Sequence, residues 1–262
     1  GPCTYSGNTS LNAGELSVTG SLGGTAVTVA SGATLSGTGS IGGAVSVSGS
    51  LTPGPGAGTL SVASLQMNPS GALIMDVAPS ADRINVTGNL ALAGSLQVNL
   101  ASGVSFGRFP LLVHGGSRTG TIALSGVPSG TQAHLAYGAN EVVLFIDDQD
   151  EDGLPDSWEQ QKFGGLVQTA GTDYDGDGSA DLVEYRLGLD PKNGSSAFRA
   201  VCSGHTLEWP SAPGIVFTVK RSISLDANQW DVIGTVTGGA ESTATFTDLA
   251  FFVTAQRCTP GN

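Results

Sequence analysis

The 262-residue chain is predicted to be mainly β: a parallel solenoid first, a small loop–helix segment next, and an antiparallel β-sandwich at the C-terminus. Three observations lead there. Over the first half, apolar residues alternate with small polar ones in segments that nearly repeat. Two acidic stretches with the same internal spacing follow. Strand-length apolar runs, separated by Gly, Pro, Asn and Asp, fill the remainder. The boundaries read from these changes are 1–146, 147–192 and 193–262.

In the first segment, "SLGGTAVTVASG" at 21–32 returns as "SIGGAVSVSG" at 40–49. Similarity at about one rung's length marks a repeat architecture. Short strands continue it: "GTLSVASLQM", "GALIMDV", "DRINVTG", "NLALAG" and "SLQVNL". Alternation puts Val27 and Val29, Val45 and Val47, and Leu60 and Val62 on one face of their strands. One such strand buries too little to be stable. Stacked rungs bury a continuous Val/Leu/Ile column and pair each backbone edge with the next. A Gly/Ser-rich flexible linker shares the composition but not the sustained alternation.

The second segment holds most of the charge. Only 12% of residues are charged, yet the net charge is -12; thirteen acids and three bases lie in 147–192. No basic patch is present, which argues against a nucleic-acid partner, since phosphate binding needs one. The acids are ordered by position. In "DQDEDGLPDSWE", Asp148, Asp150, Asp152, Asp156 and Glu159 stand first, third, fifth, ninth and twelfth, with a Gly sixth and Leu154 seventh. In "DYDGDGSADLVE", Asp173, Asp175, Asp177, Asp181 and Glu184 take the same places, with Gly178 sixth and Ser179 seventh. This is the spacing of an EF-hand Ca2+ loop. Alternate side chains of a curling loop turn their oxygens inward, the sixth-place Gly permits the sharp turn, and the seventh residue offers its backbone carbonyl. The closing Glu, at the start of a short helix, supplies two oxygens. Two Ca2+ sites are expected. A strand, "EVVLFI", runs straight into the first loop, so each unit is loop-then-helix. Trp158, Phe163, Leu182, Tyr185 and Leu187 are expected to form a small shared core.

The third segment reads as five strands: "HTLEWP", "IVFTVKRS", "WDVIGTVT", "TATFTD" and "FFVTAQR", with Trp209 and Trp230 as core residues. Cys202 and Cys258 flank this sandwich, and a disulfide between them is expected, buried free thiols being the alternative; Cys3 is left over.

Each segment resembles a known family. "CTYSGNTSLNAGELSV" and "GSLTPGPGAGTLSVASLQMNPSGALIMDV" are similar to the passenger-associated strand repeat of bacterial autotransporters. That resemblance covers roughly 1–146 and implies a right-handed parallel β-helix on a secreted or surface protein; the family's outer-membrane barrel does not follow here. In the family the repeat often begins "GPNTY", so "GPCTY" resembles a start in mid-solenoid. The acidic segment resembles dockerin and thrombospondin type 3 calcium repeats, "EYRLGLDP" included, and this implies the ten acidic side chains above as ligands, with Asp147 and Asp190 as extras. The last segment is similar to a fibronectin type III-like module of bacterial secreted proteins.

No catalytic constellation is recognisable. His114, His134 and His205 are scattered, and no GxSxG or HExxH motif occurs. The solenoid's acids, Glu15, Asp76, Asp82 and Glu141, are too few for a lyase or glycosidase groove. The expectation is a non-enzymatic, extracellular or cell-surface bacterial module, structural or adhesive, with a calcium-rigidified connector. Two alternatives stand beside it: a filament subunit that self-associates end to end through open solenoid edges, and an adhesin that binds a surface glycan or cell-envelope partner. No stretch is long and apolar enough for a transmembrane helix.

Overall fold

The repeats of the first half stack in register. The computed structural model describes residues 7–222 and 230–247, and the backbone of the strand Gln256–Pro260. Among the described residues strand accounts for 46% and helix for 6%, so the mainly β class is observed. The chain divides into two compact units, Gly1–Glu151 and Asp152–Asn262.

The first unit is a parallel β-solenoid of about four turns. In one wall Val27 pairs with Val45 and Val29 with Val47; these continue to Leu65 and Met67. In the other wall Leu16, Leu35, Leu51, Leu73, Leu96 and Leu124 form a single column, each the register partner of the next. Leu35, Leu51, Leu73 and Leu96 are fully buried. Each contributes about 1.5–3 kcal/mol through burial. His114 ends an inward column after Val62 and Val86 and is buried, with Nδ1 2.9 Å from the Gly116 carbonyl oxygen.

The solenoid's last strands depart from the expected parallel rung. Gly107–His114 pairs antiparallel with Glu141–Ile146, and Ala133–Tyr137 pairs antiparallel beyond that. Only Gly138, Ala139 and Asn140 separate the latter two strands. That is enough for a hairpin, whereas a parallel crossover needs about a dozen residues. The Tyr137 hydroxyl fastens the hairpin, accepting the Ile122 N–H at 3.2 Å and donating to the Ile122 carbonyl at 3.1 Å. The Arg118 guanidinium covers the Tyr137 ring at 4.7 Å.

The second unit begins with two short helices, α1 (Asp156–Phe163) and α2 (Asp181–Leu187). Two three-stranded antiparallel sheets follow. One joins Val201–Ser203, Thr206–Pro210 and Thr243–Thr247; the other joins Asp231–Thr237, Val216–Arg221 and Gln256–Pro260. Leu207, Trp209 and Ala244 of the first sheet share a core with Phe217 and Val219 of the second. Trp209 meets Phe217 edge-on at 5.6 Å. The strand expected at "FFVTAQR" lies outside the described residues up to Ala255.

The cysteine pairing needs correction. Cys202 lies in one sheet and Cys258 in the other, on Val201–Ser203 and Gln256–Pro260. Cys202 is an exposed free thiol, its Sγ 3.7 Å from the Gly204 carbonyl oxygen, so the expected disulfide to Cys258 is not formed. The side chains of Cys258 and Cys3 lie outside the described residues.

Candidate metal centre

Each helix begins at the ninth residue of an acidic loop, Asp156 or Asp181. The twelfth residue, Glu159 or Glu184, therefore falls one turn in. Both glutamates are fully buried, an environment glutamate almost never enters without a partner. The sixth-place glycines, Gly153 and Gly178, have φ of 91° and 97°. Side-chain-bearing residues adopt that region only under strain, so the sharp turn depends on Gly there.

The second loop lies wholly within the second unit. Asp173 Oδ1 accepts the N–H groups of Gly176 (2.9 Å) and Asp177 (3.1 Å), and its Oδ2 accepts that of Gly178 (2.8 Å). Asp175 Oδ1 accepts the Asp177 N–H at 3.2 Å, and Asp177 Oδ1 the Ser179 N–H at 2.8 Å. These bonds curl the loop. Asp173, Asp175 and Asp177 can each bring one carboxylate oxygen within 4.8 Å of the others. Asp181 is fully buried and already engaged: Oδ2 accepts from the Thr172 hydroxyl at 2.6 Å and Oδ1 from the Tyr174 N–H at 3.2 Å. Asp175 Oδ2, Asp177 Oδ2 and both oxygens of Glu184 are buried and have no hydrogen-bond partner among the described residues.

Four such oxygens are electrostatically out of balance. Burial, then the charges of Asp175, Asp177, Asp181 and Asp173, push Glu184 up to about 8. Burial first and Asp177 second also raise Asp175, partly opposed by the Asp177 N–H. Such a group must be protonated or meet a cation. The donor set, carboxylate oxygens without His or Cys, suits a hard cation.

The first loop crosses from one unit to the other after Glu151. In the first unit Asp148 is buried and Asp150 exposed. In the second, Asp152 Oδ1 accepts the Leu154 N–H at 2.8 Å, and Leu154 and Asp156 are buried. Glu159 Oε1 accepts the N–H groups of Val167 (3.2 Å) and Gln168 (3.1 Å), tying down the chain beyond α1. Of the two extra acids, Asp190 instead meets Lys162 at 3.3 Å.

Two contacts were not visible in the spacing. Thr172, just before the second loop, holds Asp181. Ser179, expected to act through its carbonyl, also uses its hydroxyl, which accepts the Phe198 N–H at 2.8 Å. The expected shared core is also divided. Trp158 contacts Phe163 at 5.5 Å and Tyr185 at 5.6 Å, while Leu187 joins the core of the sheets.

A recess of about 370 Å³ in the solenoid is lined in part by Glu15, Ser36, Asp76 and Asn99. Its carboxylates are occupied: Glu15 accepts from Ser36 at 2.5 Å, and Asp76 from Asn99 at 2.9 Å and the Gly56 N–H at 3.0 Å. No protein-family model matches the chain, and no curated protein matches it.

Proposed function

We propose that this chain is a non-catalytic structural module of a secreted or cell-surface protein, in which the two acidic loops bind Ca2+ and order the segment 147–192. The observation that carries this reading is the set of four buried carboxylate oxygens without partners on Asp175, Asp177 and Glu184. Calcium fits them better than magnesium, which prefers a tighter octahedron and keeps its waters. In the bound state Asp173, Asp175, Asp177 and Glu184 would hold the ion, with the Ser179 carbonyl as a further oxygen. Asp181, held by Thr172 and Tyr174, also orients the loop.

The first loop repeats the residue types and spacing, and its glutamate is equally buried. Residues 147–192 are read as thrombospondin type 3-like calcium repeats, and 193–262 as a fibronectin type III-like module. Extracellular modules bind calcium with Kd of about 10⁻⁴–10⁻³ M, so this reading expects a setting with comparable ambient calcium. Limited proteolysis tests the reading. Chelation is expected to open 147–192 to cleavage and calcium to close it; an identical digestion pattern in both would overturn the proposal.

A further inference from the structure

The second loop is physically continuous with the core of the C-terminal sheets. Glu184 sits on α2, and the same helix sends Leu187, with Val183 and with Leu189 just beyond it, into the cluster of Leu207, Trp209, Phe217 and Val219. A second link leaves the loop at its seventh residue. The Ser179 hydroxyl is buried and accepts the Phe198 N–H at 2.8 Å. The Phe198 ring stacks on Phe217 at 6.1 Å with an interplanar angle of 6°. Phe217 in turn meets Trp209. One helix turn therefore faces the unpartnered oxygens on one side and the sheet core on the other.

We infer that the cation of the second loop is a structural component of the C-terminal sheets, so that their stability is set by calcium occupancy. This rests on the calcium reading above and extends it from the loops to the sheets. Without the ion, the carboxylates of Asp175, Asp177 and Glu184 crowd a buried space, relieved by proton uptake or by opening of the loop. Opening withdraws α2 and Phe198 from the core. The sheets then lose Val183, Leu187 and Leu189 as well as the Phe198–Phe217 stack. Ala212, Ile215, Ile233, Val236 and Phe246 remain as their other apolar cover.

Hydrogen exchange on the full chain, with and without calcium, reads this directly, alongside calorimetric titration to confirm binding. Amides of Thr206–Pro210 and Val216–Arg221 that exchange through opening of the unit slow by the factor 1 + [Ca2+]/Kd. At a hundredfold excess over Kd the slowing is about a hundredfold. Amides of Ala72–Val77 and Ser95–Leu100 in the solenoid are the internal reference and do not change. Calcium binding with unchanged exchange in the sheets overturns the inference and leaves the calcium reading standing. An absence of binding overturns both. Glu159→Gln, which disables the first loop, retains the slowing; its loss in that variant would move the effect to the first loop and overturn the assignment to the second.

Discussion

Glu184 is the residue on which the electrostatics turn. In the metal-free protein its folded value, about 8, lies above the ordinary 4.5. The folded chain then holds a proton that the unfolded chain has released. The stability from that proton is fully present below about pH 4.5 and is lost as pH rises through about 8. Glu184→Gln keeps the shape and removes the charge. In chelator above about pH 8 the variant is therefore expected to melt higher than the parent, and in calcium lower. The crossover is read by melting both proteins under both conditions; a variant that is less stable everywhere would contradict it. At Gly178 the space around a new Cβ is open, so Gly178→Ala tests backbone conformation alone. It is expected to cost about 1–2 kcal/mol, measured as a lowered melting temperature in saturating calcium. The ligand positions were legible because a cation loop prescribes chemistry residue by residue. The partners of Thr172 and the Ser179 hydroxyl were not, because a hydroxyl's partner depends on where the fold places it.

At the scale of elements, the leucine column of the solenoid shows how alternation becomes stability. Leu51 and Leu73 are register partners and neither is exposed. Leu51→Ala or Leu73→Ala should destabilise the solenoid by about 2–5 kcal/mol in urea unfolding, the cost of lost burial plus a residual cavity. The inward faces of these strands could be read from their period of two. Their register could not, since Val45 lies across from Leu65 and Ile41 from Val62, with an irregularity between Ile41 and Ala44. The terminal hairpin escaped the repeat pattern for a related reason. Its strands, Ala133–Tyr137 and Glu141–Ile146, have the length of rung strands, and the three-residue turn between them is the local sign of a hairpin. Tyr137→Phe removes the hydroxyl that engages both backbone groups of Ile122. It should lower solenoid stability by about 1–2 kcal/mol.

Across the whole molecule, the two compact units draw their stability from different sources. The solenoid relies on stacked apolar columns, whereas the second unit places buried carboxylates beside its core. Calcium at the second loop should therefore act on the stability of the second unit. Cys202, exposed and free, should react with a maleimide in the native protein without reductant; protection of that thiol would restore the disulfide. The acidic loops are expected to be calcium sites that complete a fold. Calorimetric titration of the chelated protein with calcium, with magnesium as comparison, is the decisive measurement. Two calcium ions per chain, bound well more tightly than magnesium, is the predicted result. No heat of binding, or equal binding of both ions, would contradict it.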